Sequence, residues 1–111
     1  GTTPPPTLFT YDVITSVAQN NEPLKFSLDQ NYPNPFNSST YIRFFLDKPA
    51  MTKLVISDVL GKEVSVPVDY QLPQGENYLR FDAGELASGI YFYSIFVDGI
   101  LKDTKKMIHN K

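Results

Sequence analysis

The sequence contains no cysteine, no tryptophan and a single histidine, His109. Without cysteine the chain can form no disulfide, thiolate metal site or thiol nucleophile. One histidine cannot build a multi-histidine metal site, and His109 lies too near the chain end to favour a Ser-His-Asp triad. We expect His109 to be a solvated residue of the C-terminal tail. The commonest metal-dependent and nucleophilic enzyme sites are therefore disfavoured.

The chain also has no large excess of positive or negative charge. Ten basic residues stand against twelve acidic residues, a net charge of −2, and they form no basic stripe that would neutralise phosphates. No apolar run approaches the roughly 18 residues that suggest a transmembrane helix. The sequence thus predicts neither a nucleic-acid partner nor a transmembrane segment.

Acidic residues are the remaining candidates for chemistry, namely Asp58, Asp82, Asp98 and Asp103. Three of them fall at predicted strand ends or in a turn, where aspartate commonly accepts local backbone hydrogen bonds. Asp98 and Asp103 flank a predicted hairpin, but no Asp-Xaa-Asp-Xaa-Asp spacing supplies the oxygens of a calcium loop. We therefore predict no enzyme activity and no cofactor.

Aromatic and turn-forming residues are abundant. Seven Tyr, eight Phe, nine Pro and six Gly, in a chain that is 20% charged, favour strands and turns. From residue 24 onward, apolar residues alternate in short segments separated by turn residues, and no helical period of useful length appears. The pattern predicts an all-β protein, an antiparallel β-sandwich of about seven strands over residues 24–28, 41–46, 52–58, 62–68, 76–82, 90–97 and 100–108.

Three features refine this pattern. Pro67 cannot donate to a ladder and suggests an edge strand, on which Val64, Val66 and Val68 would share one side. Residues 90–97 are apolar on both faces, as expected of a central strand. Asp98-Gly99 predicts a two-residue type I′ hairpin.

Residues 1–23 differ in composition from the rest. They begin with the proline-rich stretch of residues 1–7, typical of a stiff spacer, and end in a polar stretch. Residues 8–17 could form either a strand or an extended linker. We expect residues 1–23 to be a linker, or the tail of a preceding domain, in a piece of a longer protein whose export signal lies upstream.

Tyrosines that alternate with core residues raise a second functional possibility. Tyr41 opposes Ile42 and Phe44, while Tyr91 and Tyr93 oppose Ile90 and Phe92. An outward row of tyrosines would suit stacking against sugar rings in a carbohydrate-binding module. Cross-strand pairing or second-face packing is the alternative that we favour.

One segment goes beyond what composition explains, and it consists of Asn31, Tyr32, Pro33, Asn34, Pro35, Phe36 and Asn37. Its prolines and asparagines predict a rigid loop that Tyr32 and Phe36 would pin to the sandwich. The segment resembles the opening of the C-terminal sorting domains carried by cargo of the bacterial type IX secretion system, which are related to the Ig-like domain of flagellar hook-capping proteins.

Three later segments are similar to the same family. Together with the first segment, they extend the resemblance over residues 24–111. Residues 58–64, with Gly61, resemble its hairpin, and Gly89-Ile90-Tyr91 contains its Gly-Xaa-Tyr motif. The last resemblance is in Lys105, Lys106, Met107 and Ile108. Ser38 departs from the family, which usually has proline there, and Ser57 stands where tyrosine is common.

The resemblance implies a non-catalytic, Ig-like sorting domain over residues 24–111 that ends a large secreted protein with an N-terminal cargo domain. An outer-membrane translocon would read it, and a sortase-like protease would cleave within residues 1–23, leaving the cargo at the cell surface or in the medium. We expect translocon recognition at Gly89, Tyr91, Lys105, Lys106, Met107 and Ile108. On physical grounds, the edge of residues 104–108 would be captured by β-augmentation. The alternatives are a carbohydrate-binding or a passive Ig-like accessory module.

Overall fold

The computed structural model describes residues 26–111, which contain seven strands and no helix. The expectations for residues 1–23 and for the first two residues of the first predicted strand lie outside the described residues. The strands are β1 (Phe26–Leu28), β2 (Ser39–Leu46), β3 (Ala50–Ser57), β4 (Glu63–Leu72), β5 (Gly75–Asp82), β6 (Gly89–Val97) and β7 (Ile100–His109).

Two antiparallel sheets form the molecule. One has the order β1-β2-β5 and the other β4-β3-β6-β7. The predicted seven-stranded sandwich is confirmed. A short hairpin keeps β4 beside β3, whereas the fourth strand of a constant-type immunoglobulin domain joins the other sheet.

The core lies between the sheets and follows the period-two alternation of the strands. On β2, Ile42, Phe44 and Leu46 are buried while Tyr41 and Arg43 are exposed. The predicted core positions of Ile42 and Phe44 are confirmed, because a strand places alternate side chains on opposite faces. The other fully buried large apolar side chains are Phe36, Leu54, Ile56, Tyr93, Ile95 and Met107.

β4 departs from simple alternation. It is an edge strand, as Pro67 predicts, but its pairing register with β3 shifts between Leu54–Val68 and Ile56–Ser65. Because the bulge inserts an extra residue, the side chains on either side of it no longer share one alternation. Val68 is buried and Val64 packs partly against the core, but Val66 is exposed, so the prediction that the three valines share one side is wrong.

β6 is central, between β3 and β7, as its apolar character predicts. The tight turn to β7 is also confirmed, since Asp98 and Gly99 have φ values of 51° and 82° and the flanking Val97 pairs with Ile100. Positive φ at both central residues is the requirement of a type I′ turn, and glycine meets it without steric cost.

Candidate sorting site at the C-terminal hairpin

The hairpin of β6 and β7 brings together the six residues that the resemblance singles out. Gly89 pairs with His109, Tyr91 with Met107, and Lys105, Lys106 and Ile108 follow on the same β7 strand. β7 lies at the edge of the four-stranded sheet, so these residues stand beside a sheet margin.

These residues divide between the two faces of the sheet. Tyr91 and Met107 point into the core and are buried. Lys105 lies on the same face at the rim, where its Nζ is 3.8 Å from Asp103 Oδ2. Lys106 lies on the opposite face and is exposed. The two adjacent lysines therefore cannot contact one flat partner together.

Gly89, at the start of β6, has a φ of +154°. A Cβ built there would meet no atom within 4 Å. The backbone conformation, rather than lack of space, is what favours glycine at this position.

Tyr91 and Tyr93 do not form an outward row, in agreement with the packing alternative that the sequence favours. Both are buried, while Ile90 is 40% exposed. Their hydroxyls have partners inside the protein, since Tyr91 Oη donates to Ala87 O at 2.7 Å and Tyr93 Oη donates to Asp29 O at 2.7 Å. A buried tyrosine is stable when its hydroxyl is satisfied in this way. The sugar-stacking row predicted from these two residues does not form.

Tyr93 also links the two sheets through its oxygen. It accepts a hydrogen bond from Asn31 N at 2.8 Å, so one hydroxyl joins β6 to the chain after β1. Burial raises the pKa of Tyr93 to about 12, because the interior disfavours the phenolate.

The loop of residues 30–37 covers part of the outer edge of β7. Phe36 N donates to Ile108 O at 2.9 Å and Asn110 N donates to Phe36 O at 2.8 Å. Ile108 N donates to Asn34 Oδ1 at 2.9 Å. Gln30 Nε2 donates to Lys106 O at 2.6 Å. We call these contacts between residues 30–36 and 106–110 the terminal clasp; because of it, the expected free edge over residues 104–108 is wrong at its C-terminal end.

Two aromatic residues of this loop have different environments. Phe36 is 1% exposed and packs edge-on against Phe81, with ring centroids 6.4 Å apart, so its predicted role as an anchor is confirmed. Tyr32 is 79% exposed, so the prediction that it pins the loop is wrong. The Tyr32–Pro33 and Asn34–Pro35 peptide bonds are cis.

Asn31 anchors the start of the loop. It is buried, and its Nδ2 donates to Pro33 O at 3.1 Å and to Thr40 Oγ1 at 3.0 Å. Thr40 Oγ1 in turn donates to Pro33 O at 2.9 Å. Because each buried polar group has a partner, the asparagine fixes the loop without a desolvation penalty. At the far end Ser38 has a φ of 78°, which proline cannot adopt.

His109 is not a solvated tail residue. It is 2% exposed and stacks on Phe36, with ring centroids 5.0 Å apart. Its Nδ1 lies 3.3 Å from Ala87 O, the same carbonyl that Tyr91 Oη bonds. The terminal clasp holds residues 106–110 against the loop, and Phe36 of that loop covers the His109 ring. This is why a residue so near the end of the sequence is buried.

Two of the candidate acidic residues, Asp58 and Asp98, accept hydrogen bonds from backbone N–H groups. Asp58 Oδ1 accepts hydrogen bonds from Leu60 N and Lys62 N, both at 2.9 Å, and so organises the hairpin that contains Gly61. Asp98 Oδ1 accepts from Met51 N at 3.2 Å. Within residues 26–111, no three His, Asp or Glu side chains gather in a way that could hold a metal ion. Among those residues, no helix is long and apolar enough to cross a membrane.

The fold and the clasped C-terminal hairpin define an all-β sandwich module whose identifiable features are an edge strand and an ordered asparagine-proline loop. The family model for the secretion system C-terminal sorting domain matches residues 30–110, well over half the chain, and the chain belongs to this family of type IX secretion sorting domains. No curated protein matches the chain. Membership indicates export to the cell surface or the medium.

Proposed function

We propose that residues 24–111 are a non-catalytic sorting signal that directs a larger secreted protein through an outer-membrane translocon. The cargo domain would precede the signal, and a sortase-like protease would separate the two within residues 1–23. The family match over residues 30–110 is the observation that carries this proposal. Membership of the sorting-domain family supports the role as a type IX sorting signal.

A short window of the β7 edge is the proposed capture point. Lys106 O and both backbone groups of Ile108 point away from β6, so by alternation Thr104 O and Lys106 N also point outward. Toward the other end of β7, the pairing register shifts between Ile95 and Phe96, which leaves Lys102 as the extra residue of a bulge. A bulge hinders the pairing of another strand at an edge. The stretch of β7 that remains accessible to a partner strand is therefore residues 104–106.

In this proposal the six candidate residues divide into two roles. Lys106 presents its charge beside the capture point, and the half-buried Ile108 extends the same face. Tyr91 and Met107 hold the strand from the core, and Gly89 starts it in the required conformation. These three are positioning residues. Lys105, paired with Asp103, presents its charge at the rim of the other face of the sheet.

Single substitutions test this better than truncation, because removal of residues 105–111 would also remove the buried Met107 and His109. The experiment fuses the 111-residue chain to a secreted reporter in a bacterium with this pathway. Lys106→Glu should reduce reporter in the medium and on the surface several-fold. Lys62→Glu, the same charge change at an exposed residue of the β3–β4 hairpin, should leave export unchanged.

Thermal unfolding of both purified variants controls for folding. If Lys106→Glu remains folded and exports the reporter as well as Lys62→Glu does, the capture point is wrong. A reporter that is exported equally well without residues 24–111 would instead show a passive spacer and remove the sorting role of the domain.

A further inference from the structure

Three exposed tyrosines lie together on the outer face of the β1-β2-β5 sheet. Tyr32, Tyr41 and Tyr78 are 79%, 52% and 65% exposed. This face belongs to the sheet opposite β7, and none of the three is among the candidate sorting residues. Their exposure therefore requires an explanation other than the proposed export role.

The backbone holds the three tyrosines as neighbours. Tyr32 and Tyr41 exchange two hydrogen bonds, Tyr32 N to Tyr41 O at 3.0 Å and Tyr41 N to Tyr32 O at 2.9 Å. Tyr41 pairs with Arg80 on β5, which makes Tyr78 its diagonal neighbour at about 7–8 Å between Cα atoms. The three side chains share one face, so backbone pairing sets the relative positions of their Cα atoms before any ligand arrives.

Polar groups complete the same surface. The three rings, with Asp29, Gln30 and Arg43, line a shallow depression of about 240 Å³. Arg43 forms an ion pair with Asp29, and Tyr78 Oη donates to Glu76 Oε1 at 3.0 Å. The hydrogen-bonding groups are thus held in place, and their main charges are already compensated.

We propose that this surface, the tyrosine face formed by Tyr32, Tyr41, Tyr78, Asp29, Gln30 and Arg43, binds a neutral polysaccharide. Flat aromatic rings match the apolar C–H faces of sugar rings, and the paired carboxylate and guanidinium match hydroxyl groups, which both donate and accept hydrogen bonds. An anionic ligand would have to displace Asp29 from Arg43. Tyrosine loses little conformational entropy when it becomes a contact residue, which favours binding at an open surface.

The carbohydrate contact that the sequence raises as an alternative thus lies on the sheet opposite the buried Tyr91, and Tyr41 is the one tyrosine common to both surfaces. This binding is independent of the proposed export function. It would let the domain hold its protein against a surface or matrix glycan while residues 104–106 remain accessible on the other sheet.

The test uses the purified 111-residue chain in native gels that contain a neutral β-glucan, a neutral mannan or the anionic polysaccharide alginate. At least one neutral polysaccharide should retard the wild-type chain. Tyr41→Ala and Tyr78→Ala should each weaken the retardation at least tenfold in apparent affinity. Tyr70→Ala is the matched control, because Tyr70 on β4 is also 52% exposed but lies on the other sheet.

Tyr78→Phe separates ring stacking from hydroxyl hydrogen bonding, since it keeps the ring and removes the hydroxyl that bonds Glu76 and faces Arg43; it should retain most of the binding. Unfolding midpoints of all variants should stay near the wild-type value. The proposal is overturned if neither neutral polysaccharide retards the chain, if only alginate does so, or if Tyr70→Ala loses as much affinity as Tyr41→Ala.

Discussion

Phe36 and His109 stack with an interplanar angle of 28° and also form a parallel backbone bridge, although one follows β1 and the other ends β7. The loop and the last strand are therefore fastened by ring packing and by backbone hydrogen bonds at the same place. The terminal clasp is an integral part of the sandwich, since its aromatic residue, Phe36, belongs to the core.

Replacing His109 with alanine should lower the free energy of unfolding by about 2 kcal/mol, because it removes a buried ring and its hydrogen bond to Ala87. Asn110→Ala, at the exposed neighbouring position, should change it by less than about 0.5 kcal/mol. Urea unfolding followed by tyrosine fluorescence measures both. Equal midpoints for the two variants would mean that the stack contributes nothing to stability.

Tyr93 should make stability depend on alkaline pH. Its pKa is raised from 10.0 to about 12 in the folded protein, so the unfolded chain loses its proton first. The free energy of unfolding should therefore fall as the pH rises from 10 to 12, by roughly 2 to 3 kcal/mol in total.

Tyr93→Phe isolates this effect. The variant should be less stable at neutral pH by about 1 to 3 kcal/mol, since Asn31 N loses its buried acceptor. The difference in the free energy of unfolding between the variant and the wild type should be constant below pH 9 and shrink above pH 10. A difference that stays constant up to pH 12 would contradict the raised pKa.

The Asn31 and Thr40 side chains should be energetically coupled. Asn31→Ala should lower the free energy of unfolding by about 1 to 3 kcal/mol, because Thr40 Oγ1 and Pro33 O lose a buried donor. In a double-mutant cycle with Thr40→Val, the two losses should not add, and the coupling should exceed about 0.5 kcal/mol. Additive losses would show that the two side chains stabilise the loop separately.

Ser38 offers a test of backbone conformation. Ser38→Gly should raise the free energy of unfolding by about 0.5 to 1 kcal/mol, because glycine adopts the φ of 78° without a Cβ penalty. Ser38→Pro should lower it by more than about 1 kcal/mol, since the proline ring fixes φ near −65°. Calorimetric midpoints that rank proline above glycine would contradict the positive φ.

Local patterns were enough to predict most of the fold. Alternation located all seven strands, Pro67 identified the β4 edge, and Asp98-Gly99 identified the last hairpin, because each depends on neighbouring residues. Val66 was misplaced because a bulge depends on the register between two strands, which a single strand's alternation does not contain. Alternation alone leaves the inward side of β6 open because both sides are apolar, and the burial and hydroxyl bonds of Tyr91 and Tyr93 show which side it is.

The candidate site was less predictable. The resemblance selected the loop and the C-terminal hairpin separately, but no sequence pattern indicated that Asn34 and Phe36 bond to Ile108. His109 was misjudged for the same reason, since its position near the end of the chain suggests exposure. The missed contacts join residues distant in sequence, and an asparagine-proline loop rich in hydrogen-bonding groups is the one available hint that it binds an edge.

The terminal clasp also relates the finished fold to protein synthesis. Residues 30–36 are made early in the domain, and their partners at residues 106–110 are made at its end. A ribosome that stops before these codons releases a chain whose loop has nothing to bind and whose edge strand is incomplete. Only a chain translated through residue 110 can close the terminal clasp, so products that stop earlier would lack it.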